Sequence, residues 1–83
     1  MRYLFTEEGI KTLSSLPKLV QRRILHKLKF FMSSPNPLYF AEHLNNFSLG
    51  KYRFQIGNYR VSFDVENDTA KILKVDHRRD IFK

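Results

Sequence analysis

The stretch Lys51-Tyr52-Arg53-Phe54-Gln55-Ile56-Gly57-Asn58-Tyr59-Arg60-Val61-Ser62-Phe63-Asp64-Val65 decides how this chain folds. Polar and apolar residues alternate on both sides of Gly57-Asn58, the pattern of two half-buried strands joined by a tight hairpin turn. Tyr59, Val61, Phe63 and Val65 face one way, and Arg60, Ser62, Asp64 and Glu66 the other. Lys51 and Arg53 share the polar parity of the first strand. Asn67-Asp68 then marks a second turn, and residues 70–75 (AKILKV) form a third strand. The adjacent Ile72-Leu73 breaks its alternation, as expected of a central strand buried on both faces.

Working back from this meander, residues 38–50 hold Tyr39, Phe40, Leu44, Phe47 and Leu49 without a clean period. They read as an irregular segment packed on the core. Ser33-Ser34-Pro35-Asn36-Pro37 ends a helical region with strong breakers. Before it, Val20, Ile24, Leu28 and Phe31 recur at four, four and three, a core-facing stripe that Leu25 and Met32 widen. That predicts a helix over 17–32, with Pro17 at its first position, where proline is favoured. Ile10, Leu13 and Leu16 predict a shorter helix that Thr6 caps, with Glu7 and Glu8 at its positive end. Residues 1–6 (MRYLFT) read as a strand, a candidate for burial. The predicted class is α+β: an N-terminal strand, a two-helix hairpin, then an antiparallel three-stranded meander with the helices packed on one sheet face. The other face is left for work.

Composition sets the bounds. The 83 residues are expected to form a single domain over 1–83, with 42% hydrophobic residues and 14% aromatics, too apolar for a disordered tail. With no cysteine, a disulfide framework and cysteine-based zinc sites are excluded. No apolar run approaches the roughly 18 residues of a membrane span, and the start of the chain has no signal-peptide core, so a cytoplasmic location and no membrane partner are expected. Fifteen Lys and Arg against eight Asp and Glu give a net charge of +7. No acid falls between Glu8 and Glu42, whereas Lys11, Lys18, Arg22, Arg23, Lys27 and Lys29 do. A field of one sign attracts polyanions or an acidic protein partner.

At this point the chain resembles a family. The YRxxxGxYR core of Tyr52 to Arg60, followed by Ile72-Leu73-Lys74-Val75-Asp76-His77-Arg78-Arg79-Asp80-Ile81-Phe82, looks like the RelE/ParE toxin superfamily, and Leu16-Pro17 fits the start of its second helix. The resemblance covers nearly the whole chain. It implies the toxin of a type II toxin–antitoxin system. Many members are metal-independent endoribonucleases (mRNA interferases) that cut mRNA at the ribosome. Another branch inhibits DNA gyrase, and a third possibility is an inactive member that only binds RNA or antitoxin. The implied partners are a cognate antitoxin, mRNA and the ribosome, or gyrase in the alternative. No cofactor and no metal are expected: there is no glycine-rich phosphate loop, and His26, His43 and His77 are scattered.

Cutting RNA through its own 2′-hydroxyl needs a proton acceptor, a fixed cation for the phosphate and a proton donor for the leaving oxygen. Arg60, on the polar face of a middle strand, is the candidate for the phosphate, because a guanidinium grips it through two donors. Lys51 and Arg53 are candidates for holding the RNA backbone, as are Arg78 and Arg79. His77 is the candidate for proton transfer, since a histidine ordinarily titrates at about pH 6.5. Glu42 is a second catalytic candidate. The resemblance implies this role, because some members place a catalytic Glu eight residues before the glycine matching Gly50. Phe82 stands where ribonuclease members typically carry a tyrosine; a phenyl ring stacks on a base but moves no proton.

Overall fold

Pairing begins where the alternation is cleanest. The computed structural model describes residues 1–45 and 50–77. Strand β3 (Tyr52–Ile56) pairs antiparallel with β4 (Tyr59–Glu66), which pairs antiparallel with β5 (Thr69–His77). Both hairpins use the turn chemistry of their residues. Gly57 takes φ +61 at the first central position, as a type II′ turn needs, and Asn67 and Asp68 take φ 51 and 60, the pair of positive angles of a type I′ turn.

Two further strands widen the meander to a five-stranded mixed sheet of order β1-β5-β4-β3-β2. The N-terminal strand β1 (Arg2–Phe5) lies parallel beside β5, so β5 is central, as expected. β1 itself is an edge strand with Arg2, Tyr3 and Leu4 exposed, which corrects the expectation of a buried one. The opposite edge is a two-residue strand, β2 (Glu42–His43), inside the segment read as irregular. Two residues carry too little period to be seen in a sequence. Phe47 and Leu49 of that segment lie outside the described residues.

The break at Ile72-Leu73 has a different cause from the one expected. Ser62 opposes Lys74 while Phe63 opposes Ile72, so Leu73 is an extra residue, a β-bulge. Ile72 and Val75 both face the core, and Leu73 is only half-buried. Leu73 instead approaches Gly50: a Cβ there would stand 2.9 Å from its Cδ1 and from the Phe63 carbonyl, and the φ of +92 also requires glycine.

Both helices form close to their predicted places. Helix α1 (Glu7–Ser14) is capped by Thr6, whose Oγ1 accepts from Gly9 N–H at 3.1 Å. It lies on β5 with no room to spare, because a Cβ on Gly9 would stand 2.3 Å from Ile72 O. Thr12 Oγ1 accepts from Val75 N–H at 2.9 Å, just past the bulge. Gly9 and Leu13 are therefore the buried face, and Ile10, expected inside, is exposed. Helix α2 (Lys18–Ser33) starts one residue later than predicted, with Pro17 as its N-cap. Ile24, Leu28, Phe31 and Met32 are buried, Val20 is half-buried and Leu25 is exposed. These side chains meet Phe54, Ile56, Val61, Phe63, Ala70, Ile72 and Val75 from one sheet face. Each fully buried aliphatic side chain stabilises the fold by about 1.5–3 kcal/mol. The aromatic contacts run from Phe40 over Phe31 (4.9 Å between centroids) and Phe54 (4.6 Å) to Phe63 (4.5 Å).

Candidate nucleic-acid interface

The face of the sheet away from the core takes the alternate residues, and the strand register arranges them in rows. One row runs Glu42, Arg53, Ser62, Lys74; the next runs Gln55, Arg60, Asp76; a third pairs Asp64 with Lys71. Same-face neighbours along a strand are about 6.6 Å apart. Arg53 and Arg60 are thus diagonal neighbours on one surface, at β3 and β4.

Arg60 lies against a specific partner. Its Nε donates to Asp76 Oδ1 at 3.1 Å and its Nη2 to Asp76 Oδ2 at 2.8 Å. The Arg60 side chain is 12% exposed and that of Asp76 24%. This is the side-on form of the bidentate pair, which fixes the plane of the guanidinium. Arg53 is held more loosely: its Nη2 is 3.6 Å from Glu42 Oε2, and among the described residues its buried Nε has no hydrogen-bond partner. Ser62, the one buried polar side chain among the described residues, lies between Arg53 and Lys74 in its row.

Lys51 comes just before β3 rather than within it. Its N–H donates to Asp64 Oδ1 at 2.7 Å, and it lines a shallow hollow of about 230 Å³ with Asp64, Val65, Glu66 and Lys71. The Lys71 ammonium, 2.6 Å from Glu66 Oε1, holds that carboxyl below its ordinary value of 4.5, first by the hydrogen bond and then by its charge. Lys51 and Arg60 thus mark opposite ends of the face, with Arg53 between them.

The sequence-predicted residues do not all converge. Glu42, Arg53 and Arg60 share the outer face. His77 does not: it opposes Tyr59, one position from the Arg60–Asp76 pair, so its side chain leaves the sheet on the helix side. There its ring meets Tyr59 edge-on at 4.8 Å. Arg78, Arg79 and Phe82 lie outside the described residues. Lys74 and Asp76 are the face residues that the sequence reading missed. Their signal was the Ile72-Leu73 adjacency, which shifts the parity of everything after it. Among the described residues no three His, Asp or Glu side chains group as metal ligands would, and no helix is long and apolar enough to cross a membrane.

The helix side carries a second surface. Leu19, Leu25, Phe30, Tyr39 and Phe40 are exposed. Lys27 Nζ lies 5.4 Å from the centroid of the Phe30 ring. Phe30 and Phe40, 6.1 Å apart, join two open hollows, one lined by His26, Lys29 and Ser33, the other by Pro35, Asn36 and Tyr39.

A five-stranded mixed sheet with two helices on one face and paired charges on the other is the architecture found in solved toxin–antitoxin complexes. No protein-family model matches the chain. It is 28% identical over 91 aligned positions to Toxin RelE3 of Methanocaldococcus jannaschii, spanning 99% of this chain and 96% of that protein. It is similar to the archaeal RelE–RelB complex of Pyrococcus horikoshii at 32% identity and a TM-score of 0.70, over 93% of each chain. It is also similar to the toxin–antitoxin complex RelBE2 of Mycobacterium tuberculosis, with 26% identity and a TM-score of 0.75 over 93% of this chain and 96% of that one. The chain belongs to the RelE family of toxins.

Proposed function

We propose that this chain is the toxin of a type II toxin–antitoxin pair, that it cuts messenger RNA at the ribosome without a metal ion, and that a cognate antitoxin neutralises it. The observation that carries this reading is Arg60. A guanidinium held in one plane, on a face shared with Arg53, Lys74 and Lys51, is a ready stabiliser for charge growing on a phosphate. The 2′-hydroxyl attacks the adjacent phosphorus, the 5′-oxygen leaves, and a cyclic phosphate remains. Arg60 binds the phosphate oxygens. Glu42, on the same face, accepts the 2′-hydroxyl proton. Arg53, Lys51, Arg78 and Arg79 hold the backbone, Phe82 stacks on a base, and His77 serves the leaving oxygen from the strand end.

The antitoxin half of the proposal is supported by relatives whose solved structures are RelB–RelE complexes. It is also supported by α2, where exposed apolar side chains alternate with cations and no acid intervenes between Glu8 and Glu42. An acidic amphipathic segment complements such a surface.

The test is transcriptome-wide mapping of RNA 5′ ends after a short pulse of expression, with wild type compared to Arg60→Ala. In-frame cuts inside coding regions that vanish in the variant are the expected result. Growth arrest without new cuts would overturn the ribonuclease reading and turn attention to gyrase. Neither arrest nor cuts would leave a binding protein, with Phe82 in place of tyrosine as its cause.

A further inference from the structure

We propose that Asp76 is the positioning residue of the phosphate grip: it holds Arg60 side-on and leaves the end of the guanidinium for the RNA phosphate. This rests on the outer face being the RNA-binding surface.

Among the described residues four acids lie on that face, and each has a basic or backbone partner. Glu42 is 3.6 Å from Arg53, Asp64 takes the Lys51 N–H, and Glu66 takes Lys71. Only Asp76 holds its cation through two hydrogen bonds. A guanidinium has five N–H donors in a rigid plane. The pair to Asp76 uses Nε–H and one Nη2–H. The second Nη2–H and both Nη1–H groups remain, and among the described residues none of them has a partner. They form the end-on fork that matches two phosphate oxygens. Asp76 and the phosphate therefore fit Arg60 together, on different edges.

The pair also has no net charge. The long-range pull on RNA then comes from Arg53, Lys51 and Lys74, partly offset by Glu42 and Asp64, whereas Arg60 contributes direction. That division separates binding from chemistry. Asp76→Asn keeps the size of the side chain but turns one acceptor into an N–H, which faces a guanidinium N–H. One bond of the clamp is lost, and the face gains one positive charge.

The probe is a single-stranded RNA oligonucleotide with a 2′-deoxy substitution at the scissile position, which cannot be cut. For a single strand each added cation steepens the dependence of log affinity on log salt by about 0.7, so Asp76→Asn should bind about eightfold more tightly at 0.05 M salt, with the gain vanishing toward 1 M. On ribosomes programmed with a cleavable message, single-turnover cleavage should fall about 10- to 100-fold in the same variant. Arg60→Lys keeps the charge but loses the fork, so its cleavage should fall without the steeper slope. In the wild type, the Arg60 Nε–H signal in nitrogen-15 NMR should persist when the oligonucleotide binds.

Loss of that signal on binding would overturn the proposal, because the phosphate would then be displacing Asp76. So would a Asp76→Asn protein that cleaves at the wild-type rate, or one whose binding and cleavage fall together with its Tm. A wild type that binds the oligonucleotide but cuts no message would remove the ribonuclease reading instead. The Nε–H signal and the salt slope would then decide on Asp76 alone.

Discussion

Replacing Gly9 by alanine sets two effects of opposite sign against each other. In a solvent-exposed helix the change stabilises by about 1 kcal/mol, because glycine is the poorer helix former. Here the added methyl would stand 2.3 Å from Ile72 O and 3.4 Å from the Phe5 ring. It must recede by about 0.7 Å to reach 3.0 Å, and the atom in its way is backbone, not the end of a flexible side chain. The Ile72 carbonyl already accepts from Thr6 N–H and Thr6 Oγ1, both at 3.0 Å, and Thr12 anchors the same helix to Val75 N–H. Lifting α1 off β5 therefore combines overpacking, about 1–3 kcal/mol, with the weakening of at least one hydrogen bond, about 1 kcal/mol. The expected net loss is about 2 kcal/mol, which for a domain of this size lowers Tm by about 8–16 °C. Thermal unfolding followed by circular dichroism measures it. Gly57→Ala is the control for backbone strain without contact, since nothing lies within 4 Å of its Cβ position. A rise in Tm for Gly9→Ala would refute the close seating of α1 on β5.

Two further outcomes are expected. The Glu66 carboxyl should titrate below 4.5 by NMR, because Lys71 bonds to it, and Lys71→Gln should move it back up. Its folded value is below its unfolded one, so the pair's stabilisation is present above about pH 4.5 and is lost as pH falls through the folded value; an unmoved titration in the variant would count against the pair. If Glu42 is the proton acceptor on the Arg60 face, Glu42→Gln should lower single-turnover cleavage by about 100-fold or more, and His77→Gln by less. The reverse order would show that the chemistry runs around the strand end, not across the sheet face.

Much of this architecture was legible from period alone. The alternation from Tyr52 to Val65 carries two strands, their register and the faces of Arg53 and Arg60, because a two-residue turn leaves the hairpin little freedom to slip. The 3.6-residue stripe of Ile24, Leu28 and Phe31 carries α2 and the side it buries. Edges were less visible. β1 gains its place only by pairing with β5, sixty-odd residues away, and β2 is two residues long. Ile10 was misjudged for a related reason: which face of a short helix is buried depends on the glycine that lets it approach, not on where its largest apolar residues fall.

The site was legible up to Arg60, and it failed at a single residue. Under strict alternation from Ala70, the positions facing the core would be 70, 72, 74 and 76. Lys74 and Asp76 would then be buried under α1, and His77 would stand beside Arg60. Burying a lysine and an aspartate without partners there is prohibitively unfavourable. The bulge at Leu73 resolves the conflict: it puts Val75 inside and swings Lys74 and Asp76 to the outer face. The same step moves His77 to the side of Tyr59. One inserted residue thus chooses which titratable groups share a surface with Arg60. It joins a carboxylate to the arginine and separates the histidine from it. The small size of Gly50 belongs to the same device, because it is what leaves room for Leu73. Deleting Leu73 removes the extra residue and leaves Lys74 opposite Ser62, Val75 opposite Val61 and Asp76 opposite Arg60 with alternation restored; the Arg60–Asp76 pair should therefore survive in that variant, whereas a full-length strand forced flat would lose it.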